Sequence, residues 1–248
     1  MSYVLVRRRL AAALALLLAA GTAAAVPPAE ALRRVAPDLN PVALKAALSA
    51  LACAEAAGMT PARRLGVIDY SLPSTRQRLW VFDLQRRKLL FRELVAHGKN
   101  SGENLATRFS NDPESLTSSL GPFRTLEAYD GRNGYSLRMA GLEPGVNDRA
   151  YARALVIHGA QYVDARQAGK QGRLGRSWGC PAVRPAVAQE LIDTLKDGQF
   201  LFAWYPDPHW AGASGYAQCP LVSGHEPPDA AGAALASNEP APRPGALP

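Results

Sequence analysis

Apolar residues recur with two different spacings along this chain, and the change of spacing separates its regions. After Asn40 and Pro41, leucines recur every three or four residues, as on one face of a helix. Asparagine before proline is a favoured way to begin a helix. The pattern therefore predicts a helix over residues 41–57, which Gly58 would end.

From residue 65 onward, short apolar and aromatic runs separated by polar turns predict β-strands. The runs are 65–71, 78–84, 89–98, 122–129, 135–141, 153–158 and 200–204. A second helix is predicted over residues 185–196, which begin with proline and carry apolar residues at helical spacing. The polar stretch 99–118 predicts a long loop, and loops of this length are often functional. The expected fold class is mainly β (a β-rich α+β fold), with one N-terminal helix before the strands and one helix after residue 180.

Residues 1–25 have the pattern of a secretory signal peptide. Three arginines at 7–9 precede an apolar run over 10–20, and three alanines at 23–25 form a small-residue cleavage site. The apolar run is too short to span a membrane comfortably, which favours cleavage over a membrane anchor. We therefore expect an exported, periplasmic or otherwise extracytoplasmic protein with no membrane span after signal cleavage. The expected division is a signal peptide (1–25), an N-terminal helical lead-in (26–64), a main domain (65–206) and a Pro/Ala-rich, largely disordered tail (207–248).

Charge and cysteine content narrow the function classes. Without the three signal arginines, 25 basic residues remain against 21 acidic ones, a net charge of +4. With no basic block that includes aromatic residues, nucleic acid is not expected as a partner. An exported protein with three cysteines has one left unpaired. If Cys53 and Cys219 pair, Cys180 is the free thiol; the alternative is that no disulfide forms.

Residues 154–183 carry the candidate chemistry. An apolar run ends on His158 and Gly159, and Cys180 follows between Gly179 and Pro181. A thiol is a strong nucleophile only as the thiolate, and an imidazole is the usual base that removes its proton at neutral pH. Glycine beside the cysteine permits a tight turn with backbone N–H groups near the sulfur. These residues favour a catalytic Cys–His pair over the alternatives of an inert buried cysteine and a core histidine.

VIHG at 156–159 followed by GRSWGCPAV at 175–183 resembles the catalytic signature of the YkuD-type L,D-transpeptidases of bacterial cell walls. The resemblance is to the branch whose motif reads S-x-G-C-P, and it covers residues 65–206. It implies a YkuD-like β-sandwich or barrel, with Cys180 as nucleophile and His158 as general base. The carbonyl of Gly159 would orient the imidazole ring, and backbone N–H groups at Gly179 and Cys180 would hold the oxyanion.

The resemblance and the chemistry of the nearby side chains suggest five substrate-binding residues: His97, Arg173, Arg176, Ser177 and Trp178. A guanidinium group suits the carboxylates of peptidoglycan stem peptides, although both arginines could equally be solvated loop charges. Ser177 would hydrogen-bond His158 or substrate, and His97 would line the cleft or merely end a strand.

The sequence departs from the commoner branch of this family at two positions. Trp178 stands where that branch has histidine, and Ala182 stands where it has arginine. Arg184 could supply the missing cation from another place. The departures put the contacts to substrate in doubt more than they do the Cys–His pair.

The reaction that the resemblance implies is peptidoglycan transpeptidation through a cysteine thioester, which forms 3–3 cross-links from tetrapeptide stems. An L,D-carboxypeptidase or an endopeptidase could use the same site. A non-catalytic envelope domain that binds wall peptides is a further alternative, supported by Trp178. Papain-like and NlpC-type peptidases place cysteine before histidine, the reverse of the order here. The spacings typical of zinc sites are missing, so neither metal nor cofactor is expected. The sequence leaves the oligomeric state open.

Overall fold

The computed structural model describes residues 26–208, 210, 214–216 and 219. The predicted signal peptide and most of the predicted tail lie outside these residues. No helix in the described part of the chain is both long enough and apolar enough to cross a membrane.

The described residues form eight strands and four helices. The strands are β1 (Arg64–Asp69), β2 (Leu79–Asp83), β3 (Lys88–Glu93), β4 (Gly121–Gly131), β5 (Gly134–Gly141), β6 (Val156–Gly159), β7 (Ala182–Val183) and β8 (Phe200–Trp204). The helices are α1 (Ala29–Val35), α2 (Pro41–Ala56), α3 (Ala165–Gln171) and α4 (Pro185–Leu195).

All eight strands belong to one mixed sheet, in the order β3-β2-β1-β8-β4-β5-β6-β7. The β1/β8 and β6/β7 pairs are parallel, and the other pairs are antiparallel. The two edges of the sheet meet just after β3, where the Ala96 N–H donates to the carbonyl of Ala182 in β7 at 2.8 Å. This bridge brings the sheet close to a closed barrel and covers part of both edges. The predicted mainly β fold, with a helix on either side of the site in the chain, is confirmed.

The centre of the core is β1, β2 and β8. Strands β2 and β8 are buried at every position, and their sequences are accordingly almost continuously apolar. Helix α2 begins as the sequence predicts, because the Asn40 side chain accepts a hydrogen bond from the Val42 N–H. It packs its buried leucines against β8 and β1, while α4 packs against β6 and so supports the strand that carries His158.

Helices α1 and α3, the short strand β7 and several strand boundaries differ from the sequence-based expectation. Helix α1 lies in the expected N-terminal helical lead-in but before the predicted 41–57 helix, and it buries one large residue, Leu32. Helix α3 lies between the predicted strand that ends at His158 and the Cys180 motif, where no helix was predicted. The Asp164 side chain caps it by accepting from two backbone N–H groups, although its sequence has no apolar periodicity. The strand expected over 153–158 begins only at Val156, because Ala154 has a φ of 53° and cannot continue an extended strand.

The cysteines divide into one disulfide and one free thiol. Cys53 in α2 is bonded to Cys219 across a separation of 166 residues, and Cys180 is free. Trp210 packs against Phe202 of β8, with ring centroids 5.8 Å apart. The chain therefore stays in contact with the barrel beyond residue 206, and the disulfide leaves Cys180 as the one thiol available for chemistry.

Candidate active site

His158 and Cys180 lie on neighbouring segments at the β6/β7 edge of the sheet. His158 is paired in register with Ala182 of β7, and Cys180 comes two residues before Ala182. The backbone N–H of Val156, which is two residues before His158, lies 3.5 Å from Cys180 Sγ. Residues that are 22 positions apart in sequence thus come together because β6 and β7 are parallel neighbours.

The His158 ring is held in one tautomer. Its Nδ1 lies 3.0 Å from the carbonyl oxygen of Gly159. Since a carbonyl can only accept, Nδ1 carries the proton and Nε2 of the neutral ring presents its lone pair. Burial lowers the pKa of His158, and the Gly159 carbonyl opposes that effect only in part. Gly159 is also needed for packing, because a Cβ there would lie 2.9 Å from the Cβ of Ala188 in α4.

Cys180 is buried, and its thiol is turned toward the strand backbone. Within the described residues, the thiol accepts a hydrogen bond from the Val156 N–H and donates one to the Ala154 carbonyl at 3.7 Å. Burial raises the pKa of the thiol, and the Val156 N–H and the Arg153 charge act in the opposite direction. Both pKa directions favour a neutral thiol and a neutral imidazole in the resting pair, and the hydrogen bonds of the thiol are to the backbone of 154 and 156.

The turn that carries Cys180 is organised by Ser177. The Ser177 hydroxyl donates to the Cys180 carbonyl at 2.6 Å and accepts from the Gly179 N–H at 3.1 Å. This buried hydroxyl therefore bonds within its own turn and not to His158, and the expected contact with substrate stays a prediction. The Gly179 N–H, one of the two expected oxyanion donors, is occupied in the same way.

The loop over residues 99–118 forms one wall of the site. Ser118 joins this loop to the turn, since its hydroxyl donates to the Gly179 carbonyl at 3.0 Å and accepts from the Gly98 N–H at 3.0 Å. Gly179 has a φ of 124°, and a Cβ there would lie 2.7 Å from the Thr117 carbonyl oxygen. Glycine at this position therefore lets the loop and the nucleophile turn approach each other closely.

Neither Arg173 nor Arg176 is free for a substrate carboxylate. Both bind the same carboxylate, with Arg173 Nε at 2.8 Å and Arg176 NH1 at 2.6 Å from the two oxygens of Glu103. Arg176 also donates to the carbonyls of Lys99 and Gly102. Their observed role is to fasten the segment before the turn to the loop.

Arg184 does not supply the missing cation near the nucleophile. Its guanidinium donates twice to the carboxylate of Glu93, at 2.6 and 2.9 Å, across the β3/β7 edge of the barrel. Such a two-point pair fixes the side chain in place.

His97 is a buried structural residue, and the expectation that it lines the cleft is wrong. It has no exposed surface, and its Nδ1 lies 2.7 Å from NH2 of the fully buried Arg78. Because arginine can only donate, Nδ1 must accept and Nε2 must carry the proton, which points to the Gly102 carbonyl at 3.3 Å. Burial, together with the Arg78 charge, lowers the pKa of His97 to about 4.

Trp178 is the one expected substrate-binding residue whose side chain is open to solvent. It is 68% exposed, the highest value among the large apolar side chains that the structure describes. With Leu116, Arg149 and Arg153 it lines a groove of about 390 Å³ beside the nucleophile turn. The indole is therefore an exposed apolar surface two residues before Cys180 in the chain.

The sequence reasoning missed Arg153. Its guanidinium lies at the base of the same groove, and it is the one cation that lowers the thiol pKa of Cys180. Its place at the start of the run that ends in His158 is the only local signal that could have marked it.

Several solved structures are similar to this chain. Solved structures similar to it include an L,D-transpeptidase from Mycobacterium smegmatis, with 17% identity, a TM-score of 0.36, and 58% of this chain and 59% of that chain covered. Another is an L,D-transpeptidase (Yku) from Stackebrandtia nassauensis, with 12% identity, a TM-score of 0.35, and 73% and 77% covered. The match thus spans about three fifths of the mycobacterial chain. The search of curated proteins gave no match.

The family comparison is more extensive. Residues 35–204 match the family described as the L,D-transpeptidase catalytic domain (YkuD_2). The match covers all eight strands and includes both His158 and Cys180. The chain belongs to the L,D-transpeptidase catalytic domain family.

Proposed function

We propose that this protein is a peptidoglycan L,D-transpeptidase that works through a thioester on Cys180, with His158 as general base. The observation that carries the proposal is the tautomer of His158, whose Nδ1 is bound to the Gly159 carbonyl while Nε2 is left to accept a proton beside the free thiol. Family membership supplies the substrate class, stem peptides of the bacterial cell wall.

The first step is acylation. His158 Nε2 takes the thiol proton, and the thiolate attacks the carbonyl carbon that joins the third stem residue to the terminal D-alanine. The Cys180 N–H stabilises the oxyanion, an effect worth about 3 kcal/mol for a single well-placed donor. The carbon–nitrogen bond then breaks, His158 returns the proton to the leaving D-alanine amine, and the stem remains as a thioester.

The second step releases the enzyme. An amine of a neighbouring stem attacks the thioester, loses its proton to His158, and displaces the Cys180 thiolate, which is then reprotonated. The product is a 3–3 cross-link. If water attacks instead, the product is a tripeptide stem and the reaction is that of an L,D-carboxypeptidase. Trp178 and its groove are the proposed place for the stem, and residues 1–25 are proposed to direct the protein out of the cytoplasm.

The test is incubation of the protein with a disaccharide-tetrapeptide, with products identified by mass spectrometry. A dimer that has lost one D-alanine is the expected product, and Cys180→Ala and His158→Gln should each abolish it. If the product is a bare tripeptide, the reaction at this site is carboxypeptidation and not transpeptidation. Turnover by Cys180→Ala would show that the nucleophile is wrong. If the wild-type protein leaves tetrapeptide stems unchanged, a dimeric stem as substrate would separate an endopeptidase from a binding domain.

A further inference from the structure

Arg153 is a half-buried cation whose four guanidinium hydrogen bonds, within the described residues, all go to neutral oxygen atoms. NH1 donates to the Ser110 carbonyl at 2.7 Å and to the Ser119 hydroxyl at 2.6 Å. NH2 donates to the Ser115 hydroxyl at 3.0 Å and to the Thr117 carbonyl at 2.8 Å. Within the described residues Arg153 forms no ion pair.

This arrangement leaves a positive charge uncompensated in a partly dry place. Most of the other arginines near the site are neutralised directly: Arg173 and Arg176 bind Glu103, and Arg184 binds Glu93. Removing a charge from water is costly unless an opposite charge balances it. A cation held by neutral acceptors therefore suits a negative charge that forms only during the reaction.

The geometry places that charge at the nucleophile turn. Arg153 NH2 lies 3.5 Å from the position that a Cβ on Gly179 would occupy. The residue that follows Arg153, Ala154, accepts the hydrogen bond of the Cys180 thiol through its carbonyl. Arg153 thus reaches the Gly179–Cys180 turn in two ways, through its guanidinium at Gly179 and through the adjoining backbone at the Cys180 thiol.

The other titratable groups near the sulfur carry no charge at neutral pH. Burial raises the pKa of Tyr70 and of Tyr162, so both phenols stay protonated. Burial lowers the pKa of His158, so its ring stays neutral. The Asp112 carboxylate acts on Arg153 from an exposed position, but no ion pair joins the two side chains. Arg153 is therefore the charged group of the described residues that can favour the thiolate.

We propose that Arg153 is a positioning residue that holds the loop segment 110–119 against the Gly179–Cys180 turn and supplies the positive charge that stabilises the Cys180 thiolate. The proposal rests on Cys180 as the nucleophile of the proposed function. It extends that function by naming the group that makes a buried thiol reactive where the imidazole is neutral. The four-point attachment fixes the charge in place, so it needs no rearrangement when the thiolate forms.

The test is the pH dependence of Cys180 alkylation by iodoacetamide, measured on the intact, disulfide-bonded protein. Only the thiolate reacts, so the midpoint of the rate profile reports the thiol pKa without any substrate. In Arg153→Gln the midpoint should rise by about one pH unit, which slows labelling at pH 7 about tenfold. Arg153→Lys, which keeps the charge, should stay nearer to wild type. Arg132→Gln, at the exposed turn between β4 and β5, is the matched control for loss of one positive charge.

A second pair of variants keeps Arg153 and its fold intact. Ser115→Asp places a carboxylate beside Arg153 NH2, and Ser115→Asn places a neutral group of the same shape there. Neutralising the guanidinium should raise the midpoint in Ser115→Asp relative to Ser115→Asn. Equal midpoints in these two variants, or an unchanged profile in folded Arg153→Gln, would overturn the proposal. An equal rise in Arg153→Lys and Arg153→Gln would also overturn it, because the charge would then not be the cause. Failure of the protein to turn over stems would leave these profiles unaffected.

Discussion

The buried pair of His97 and Arg78 makes a specific prediction about stability in acid. His97 must stay neutral in the folded protein, because its Nδ1 accepts a hydrogen bond from Arg78 and a protonated ring would place two positive charges in contact. Its folded pKa is about 4, against 6.5 for an unperturbed histidine. Between these values the unfolded chain binds more protons, so folding becomes less favourable as the pH falls.

The size of the effect follows from that difference. At a pH above 6.5 the contribution of His97 to stability is fully present, and it is lost as the pH falls through the range down to about 4. The complete loss corresponds to about 3 kcal/mol of unfolding free energy, of which about 2 kcal/mol falls between pH 7 and pH 5. For a domain with a typical stability this is a large fraction.

The assay is denaturant unfolding of the wild-type protein and of His97→Asn at pH 7, 6 and 5. Asparagine keeps an oxygen acceptor for Arg78 but does not titrate in this range. The variant should be less stable at pH 7, because it loses the bond to the Gly102 carbonyl, yet it should lose about 2 kcal/mol less than wild type between pH 7 and pH 5. The titration of His158 and of the carboxylates is common to both proteins and cancels. If both proteins show the same slope with pH, the reasoning about His97 is refuted.

Two further predictions concern the turn and the disulfide. Gly179→Ala should destabilise the protein by about 1–3 kcal/mol and slow Cys180 alkylation, because it combines a positive φ with a clash against the Thr117 carbonyl. Thermal unfolding should show a smaller loss of stability for Gly145→Ala, where φ is also positive but nothing lies within 4 Å. Equal losses in the two variants would rule out the clash. Cys53→Ser should cost about 2–4 kcal/mol of unfolding free energy. The number of free thiols titrated in the unfolded, unreduced chain should rise from one in the wild type to two in the variant. Three free thiols in the wild-type protein would mean that the disulfide does not form.

The strands could be predicted because burial on both faces leaves a nearly continuous apolar run. β8 was predicted with its observed bounds for this reason, and α2 because Asn40 and Pro41 mark its start. Helix α3 could not be predicted, since its one buried residue is Ala168 and its stability depends on capping by Asp164. A helix without an apolar stripe leaves no periodic signal in the sequence.

The candidate site was predictable where backbone geometry alone sets the role. His158 and Gly159 are adjacent in sequence, so a contact between the ring and the following carbonyl needs no distant partner. The expected bond from Ser177 to His158 does not form, because the hydroxyl bonds within the turn that it shares with Cys180. His97 was misread because its partner, Arg78, is 19 residues away and reaches it only after β2 and β3 have paired.

The arginines show why charge in a sequence does not reveal function. Arg173, Arg176 and Arg184 were candidates because they lie next to the Cys motif, yet each is neutralised by a glutamate brought in from a distant segment. Arg153 lies 27 residues before Cys180 and is left with neutral partners. A charged side chain near the reacting group can act on catalysis when the fold places no counter-ion against it. Which charges are paired depends on tertiary contacts, so the spacing of residues in the sequence does not reveal it. The four partners of Arg153, the carbonyls of Ser110 and Thr117 and the hydroxyls of Ser115 and Ser119, hold its guanidinium in place without balancing its charge.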